Sequence, residues 1–159
     1  MNHTDDLFAK NLEELLTNIP ISNWEQKIST HYSARAERNE FDCTDYHVYR
    51  ALFDNYTLTL RGECNYWTYQ AEYDVDQYGP KSSFKRVTIS LKTDKQILLE
   101  NHPASTSTES FFNQLIIDYT RFHEELAQKI KKEKKEARER VLQEGREKSL
   151  QKLRNRVRQ

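Results

Sequence analysis

The sequence predicts an α+β fold in which helices pack against one antiparallel sheet. Apolar residues first recur at helical spacing, then alternate with polar residues through the middle of the chain, and finally return to helical spacing. We therefore expect two N-terminal helices, an antiparallel meander of four to five strands, and a long C-terminal helix that packs on the sheet and projects beyond it.

Composition divides the chain into two parts. The 159 residues suit one domain, and an aromatic content of 11% is higher than disordered chains usually have. Residues 1–122 carry 12 Lys and Arg against 18 Asp and Glu, whereas residues 123–159 carry 13 against 7. We therefore predict a compact α+β domain over residues 1–130 and a charged, basic helical extension over residues 131–159.

The two N-terminal helices are predicted from capping signals and apolar spacing. Thr4 and the acidic residues after it can cap the first helix, which Pro20 ends. Ser22 and Glu25 then have the spacing of a capping box, which favours a second helix. Its buried face would carry three apolar residues spaced four apart: Trp24, Ile28 and Tyr32.

The central sheet begins with a predicted hairpin. Apolar and polar residues alternate in Tyr46–Phe53 and Tyr56–Arg61, on either side of residues 54–55. A two-residue turn there would pair residue i with residue 109 − i, so that Tyr49 lies opposite Leu60. Further strands are predicted at Tyr66–Val75, Phe84–Lys92 and Gln96–Leu99.

Aromatic side chains concentrate in this predicted sheet. Alternation assigns most of them to the apolar face, where packing in the core is the favoured interpretation. These core aromatics would be Tyr49, Tyr56, Trp67, Tyr69 and Tyr73. The aromatics left for an exposed surface are Tyr46, Tyr66 and Tyr78.

The last third of the chain predicts one long helix. Thr106 and Glu109 form a second capping box, and no proline follows them. A helix of about fifty residues would be ~75 Å long. Its first part is rich in apolar residues that can cover the sheet, but the stripe weakens after Ile130. Acidic and basic residues four apart, such as Glu136 and Arg140, can then support the helix.

A second apolar stripe near the C-terminus is the predicted partner-binding surface. Its anchors and the surrounding arginines are Leu142, Leu150, Leu153, Val157, Arg146, Arg154, Arg156 and Arg158. Apolar residues on one helix face can dock in a groove or pair as a short coiled coil, while charges around them set the orientation. We therefore expect a small non-catalytic protein-binding or adaptor protein that uses this helix to bind a partner protein or another copy of itself.

Binding to RNA or DNA is the alternative function. The last fourteen residues carry six basic side chains against Glu147 alone, and exposed aromatics can stack on bases. Seven glutamates between residues 123 and 159 weaken this interpretation, because phosphate contact favours an unbroken positive face.

An enzyme or a metal site is the third hypothesis. Cys43, His47 and Cys64 would meet near one end of the sheet, and two thiols with an imidazole resemble zinc ligands. The CxxC and HxxxH spacings of metal sites do not accompany them, so ordinary packing is favoured. The acids of residues 118–125 are more typical of a solvated helix face, and the glycine motifs of nucleotide sites do not occur in the sequence. We therefore predict no catalytic residue, no metal and no cofactor.

The sequence predicts a cytoplasmic protein without membrane contact. No apolar run reaches the ~18 residues of a membrane span. The acidic N-terminus lacks the apolar core of a secretory signal. The two cysteines are accordingly expected to be reduced.

Overall fold

A computed structural model describes residues 3–35, 40–70, 76–78 and 83–159. The chain forms two compact units, Met1–Tyr119 and Thr120–Gln159. The α+β fold class is confirmed, because N-terminal helical segments, one open antiparallel sheet and a long C-terminal helix are all present.

The N-terminal segment differs from the prediction after its first helix. Helix α1 spans His3–Leu15 and continues into a 3-10 turn at Leu16–Asn18. The second helical piece is only the 3-10 turn Ile21–Asn23, and the predicted helix beyond it is instead strand β1, Trp24–Ala34. A spacing of four residues fits a helix face and also a strand face, whose period is two. Pairing with the next strand decides between them, since tertiary context overrides local capping signals.

One sheet contains all six strands of the described residues. The strands after β1 are β2 (Glu40–Phe53), β3 (Tyr56–Gln70), β4 (Asp76–Tyr78), β5 (Lys85–Lys92) and β6 (Ile97–Pro103). Their order is β1-β2-β3-β5-β6, and the short β4 also pairs with β3. The predicted hairpin register is confirmed, because Tyr49 lies opposite Leu60 and Phe53 lies opposite Tyr56.

Strand β3 contains two segments that were predicted as separate strands. Residues 56–61 and 66–70 belong to one uninterrupted strand, so the alternation of faces runs through both. Trp67 therefore lies opposite Asp42 on the open face and is 37% exposed, not on the apolar face as predicted. Tyr73 was predicted for the same face, but it lies outside the described residues.

The core lies between one sheet face and the helices. Its aromatic centre is Phe112, which is fully buried and contacts the rings of Tyr49 and Phe84 at centroid distances of 5.5 and 5.7 Å. Gly62 makes this packing possible: a Cβ there would lie 2.6 Å from Cε1 of Phe112. The other buried apolar residues include Ala9, Leu12, Leu16, Trp24, Ala51, Leu58, Leu60, Val87, Ile89, Leu91, Leu99 and Leu115.

The C-terminal helix α2 spans Thr106–Val157, as the sequence predicts. Ser105 caps it, because its Oγ accepts a hydrogen bond from the Thr108 amide at 3.3 Å. Asn113 fixes its first turns to the start of β5. The side-chain amide of Asn113 donates to the carbonyl oxygen of Phe84 at 3.1 Å and accepts from the Phe84 amide at 2.8 Å. This two-way bond imitates the pairing of a neighbouring strand.

Candidate partner-binding surface on the C-terminal helix

The unit Thr120–Gln159 is a stretch of helix whose residues are exposed, apart from the half-buried Phe122. Side chains four residues apart support it, as in the hydrogen bonds from Gln143 to Glu147 at 3.2 Å and from Gln151 to Asn155 at 3.3 Å. Each such bond contributes only ~0.2–0.5 kcal/mol. Helix propensity and many small terms therefore hold this stretch, since its apolar side chains are not buried.

The predicted anchors form a continuous exposed stripe. We call Leu142, Leu150, Leu153 and Val157 the leucine stripe. They are 53%, 48%, 60% and 85% exposed. At ~100° per residue, the four side chains fall within an arc of ~80° on the helix surface. A stripe this narrow is the geometry by which a helix docks in a groove.

A shallow notch lies beside the leucine stripe, at Gly145. Apart from its chain neighbours and the nearby backbone of the helix, no atom lies within 4 Å of the position a Cβ would take at Gly145, and Ser149, four residues on, is also small. The notch is lined by Val141, Leu142, Gly145, Arg146, Ser149, Leu150 and Leu153. Glycine inside a helix costs about 1 kcal/mol against alanine, so the notch exists at the expense of helix stability.

Positive charge surrounds the stripe. The unit Thr120–Gln159 carries 14 Lys and Arg against 7 Asp and Glu, whereas residues 1–119 carry 11 against 18. By the same helical geometry, Arg146 lies within the arc of the stripe, and Arg154 and Arg156 lie about 40° to either side of it. Arg158 lies further round the helix, about 80° from the edge of the arc. Seven of the eight residues predicted for this surface thus share one side of the helix.

The predicted corner of Cys43, His47 and Cys64 is a buried part of the sheet. Cys43 and Cys64 are both buried and do not form a disulfide, and the Cys43 Sγ lies 3.8 Å from the Thr68 Oγ1. The ring of His47 packs on Phe84 with a centroid distance of 4.4 Å. Among the described residues, no group of three His, Cys, Asp or Glu side chains is arranged to hold a metal ion.

A buried carboxylate near this corner is satisfied by neutral hydroxyl groups. Asp45 lies opposite Cys64, as the predicted register requires. The hydroxyls of Thr30 and Tyr66 donate to its Oδ1 at 2.8 and 2.9 Å. Burial raises the pKa of Tyr66, and its hydrogen bond to Asp45 raises it further. The phenol therefore stays protonated and serves as a donor that holds three strands together.

The aromatics predicted to be exposed do not form a common stacking platform in the described residues. Tyr46 is half-buried on the open face, where the Arg61 guanidinium lies 4.8 Å from its ring centroid. Tyr66 is half-buried on the opposite face. Tyr78 lies in β4, and its side chain is outside the described part. The Glu63–Arg86 ion pair at 3.6 Å adds mixed charge to the open face.

Sequence reasoning missed a cavity in the unit Met1–Tyr119. It measures about 620 Å³ and is lined by α1 with the turn after it, by the end of β6, and by the start of α2 with the residues before it. Two polar contacts close its sides, His102 Nε2 to Asp6 Oδ1 at 2.7 Å and Ser105 Oγ to Glu13 Oε2 at 2.6 Å. These partners are more than 90 residues apart, so no local spacing could reveal them. Because the polar groups satisfy each other, the contacts serve to fasten α1.

No protein family, no curated protein and no solved structure matches the chain significantly. In the part of the chain that the structure describes, no helix is long and apolar enough to cross a membrane.

Proposed function

We propose that this chain is a non-catalytic protein-binding or adaptor protein that docks the leucine stripe in an apolar groove with an acidic rim on another protein. The observation that carries the proposal is the coincidence of four exposed apolar side chains in one narrow arc with a strongly basic helix. A contiguous exposed apolar patch on a protein surface typically marks an interaction site.

Charge favours a partner different from the chain itself. The last fourteen residues carry six basic side chains and one glutamate. Two copies of this segment side by side would bring like charges together, whereas an acidic rim would attract them. Self-pairing through the stripe is therefore the less favoured mode.

The energetics predict a moderate, salt-sensitive complex. Full burial of an aliphatic side chain gains ~1.5–3 kcal/mol, and the four stripe side chains are still about three-fifths exposed on average. Completing their burial would gain roughly 4–7 kcal/mol, less than the ~8 kcal/mol of a micromolar complex. The arginines must supply the remainder, so we expect binding to weaken clearly as salt screens them.

The test compares capture by the full chain with capture by two charged variants, in extract with and without nuclease treatment. Leu150→Glu with Leu153→Glu places two acids in the stripe. Ile130→Glu places one acid on an exposed apolar residue of the same helix outside the stripe. We expect a specific protein to be captured by the wild type and by Ile130→Glu, and lost with the stripe variant.

Three outcomes would contradict the proposal. Capture that survives the stripe variant would place binding elsewhere. Capture that disappears with nuclease would favour the nucleic-acid alternative, in which the basic residues contact phosphate. A dimer of the chain that only the stripe variant dissociates would replace the acidic partner by a second copy.

A further inference from the structure

Strand β1 is a long and regular edge strand of the described sheet. It pairs with β2 residue by residue from Trp24 to Ala34 without a register shift. No strand of the described residues lies on its other side. Edge strands are usually protected by prolines, bulges or a covering helix, because their free N–H and C=O groups recruit other strands. The eleven residues of β1 include no proline and no arginine, and Lys27 is the one lysine among them.

Two apolar side chains of β1 are exposed on the face that elsewhere forms the core. Ile28 lies opposite His47 and is 50% exposed, and Tyr32 lies opposite Cys43 and is 61% exposed. Both partners on β2 are buried. At Ile28 and Tyr32, the core face of the sheet therefore becomes exposed. A further strand beside β1 would place side chains next to these two residues.

We propose that β1 pairs antiparallel with β1 of a second copy, around a two-fold axis at Ile28. In this register residue i lies opposite residue 56 − i, so that Ile28 meets Ile28 and Tyr32 meets Trp24. The axis is perpendicular to the sheet, so each residue and its partner lie on the same face of the combined sheet.

Charge and apolar pairing select this register over its neighbours. With the axis at Ile28, Ile28 lies opposite its own copy, Glu25 lies opposite His31 twice, and Lys27 lies opposite Ser29. An axis at Lys27 would place two lysines opposite each other, and an axis at Ser29 would place Ile28 opposite Thr30. Directly opposed like charges destabilise a strand pair, whereas opposite charges and apolar pairs stabilise it. The self-complementary pattern therefore fits a second copy better than an unrelated strand.

Analytical ultracentrifugation of the full chain over a range of concentrations tests the proposal. We expect a species of twice the 19.1 kDa chain mass, which Ile28→Lys converts to the monomer. Leu52→Lys is the matched control, because Leu52 is 55% exposed on β2 and lies outside the pairing of β1 with β2, so the dimer should persist. A chain that stays monomeric at all concentrations, or a dimer that Ile28→Lys leaves intact, would overturn the proposal.

A charge-exchange cycle covers the case in which Ile28→Lys does not fold. Glu25→Lys and His31→Glu should each weaken the dimer several-fold, and the double variant should restore it, because Lys and Glu then lie opposite each other. Equal weakening by the single and double variants would overturn the register. The stripe variant Leu150→Glu with Leu153→Glu should leave this dimer intact. Its loss in that variant would assign self-association to the leucine stripe instead, so the two proposals can fail independently.

Discussion

The unit Met1–Tyr119 and the unit Thr120–Gln159 are built on different physical principles, although helix α2 contributes to both. In the first unit, α2 supplies Phe112 and Leu115 to a close-packed core. In the second, the same helix exposes its leucine stripe and relies on propensity and side-chain pairs. Helical structure alone therefore does not reveal whether an apolar residue stabilises the fold or serves a contact outside it.

The largest expected difference between the units is the cost of losing one apolar side chain. Phe112→Ala removes a ring that is fully buried against Tyr49 and Phe84, so we expect the free energy of unfolding to fall by ~3–5 kcal/mol. Leu153→Ala, at 60% exposure, should change it by less than about 0.5 kcal/mol. Urea denaturation of both variants measures the two values. Similar losses would show that Leu153 is buried in the protein as it exists in solution.

The two described glycines give a smaller contrast of opposite sign. Gly62→Ala would place a Cβ within 2.6 Å of the buried Phe112 ring, and we expect a loss of ~1–3 kcal/mol. Gly145→Ala meets no atom within 4 Å beyond its chain neighbours and the nearby helix backbone, and it should raise helix stability by up to ~1 kcal/mol. Thermal unfolding, with the second unit followed by helical circular dichroism, tests the pair. A stable Gly62→Ala protein would mean that the ring of Phe112 does not pack against this strand.

The smallest expected effect is a loss of stability at alkaline pH, which we expect only in the first unit. Burial raises the pKa of Tyr49 from 10.0 to about 12, against the opposing effect of a hydrogen bond that Gln26 donates to its oxygen. Because the folded pKa is above the unfolded one, this stabilisation is complete below pH 10 and is lost as pH rises towards 12. Tyr49→Phe should therefore flatten the decline of stability between pH 10 and 11. An unchanged decline would show that Tyr49 does not control it.

The fold was predicted correctly where the local sequence pattern and the pairing with a neighbouring strand required the same structure. In the hairpin of β2 and β3, turn position and alternation required one register, and the structure has it. The prediction of a second helix failed because Trp24, Ile28 and Tyr32 are spaced four residues apart, which is close to one helical turn and is also two strand periods. Trp67 was assigned to the wrong face because the weakly apolar residues 62–65 hid the continuity of β3.

The candidate site was predictable in its exposure pattern but not in its shape. The leucine stripe and its charges follow directly from helical spacing, since nothing else in the second unit competes for them. The notch at Gly145 could not be inferred, because its shape depends on how the side chains around the glycine are placed. The free edge of β1 was also out of reach, because it depends on which strand ends the sheet.

The fastening of α1 has a consequence for synthesis on the ribosome. Asp6 and Glu13 bond to His102 and Ser105, across sequence separations of 96 and 92 residues. The β2–β3 hairpin needs only neighbouring residues, so it can form while the later strands are still being made. Helix α1 is therefore made well before its partners His102 and Ser105, and its apolar side must wait until they have been translated.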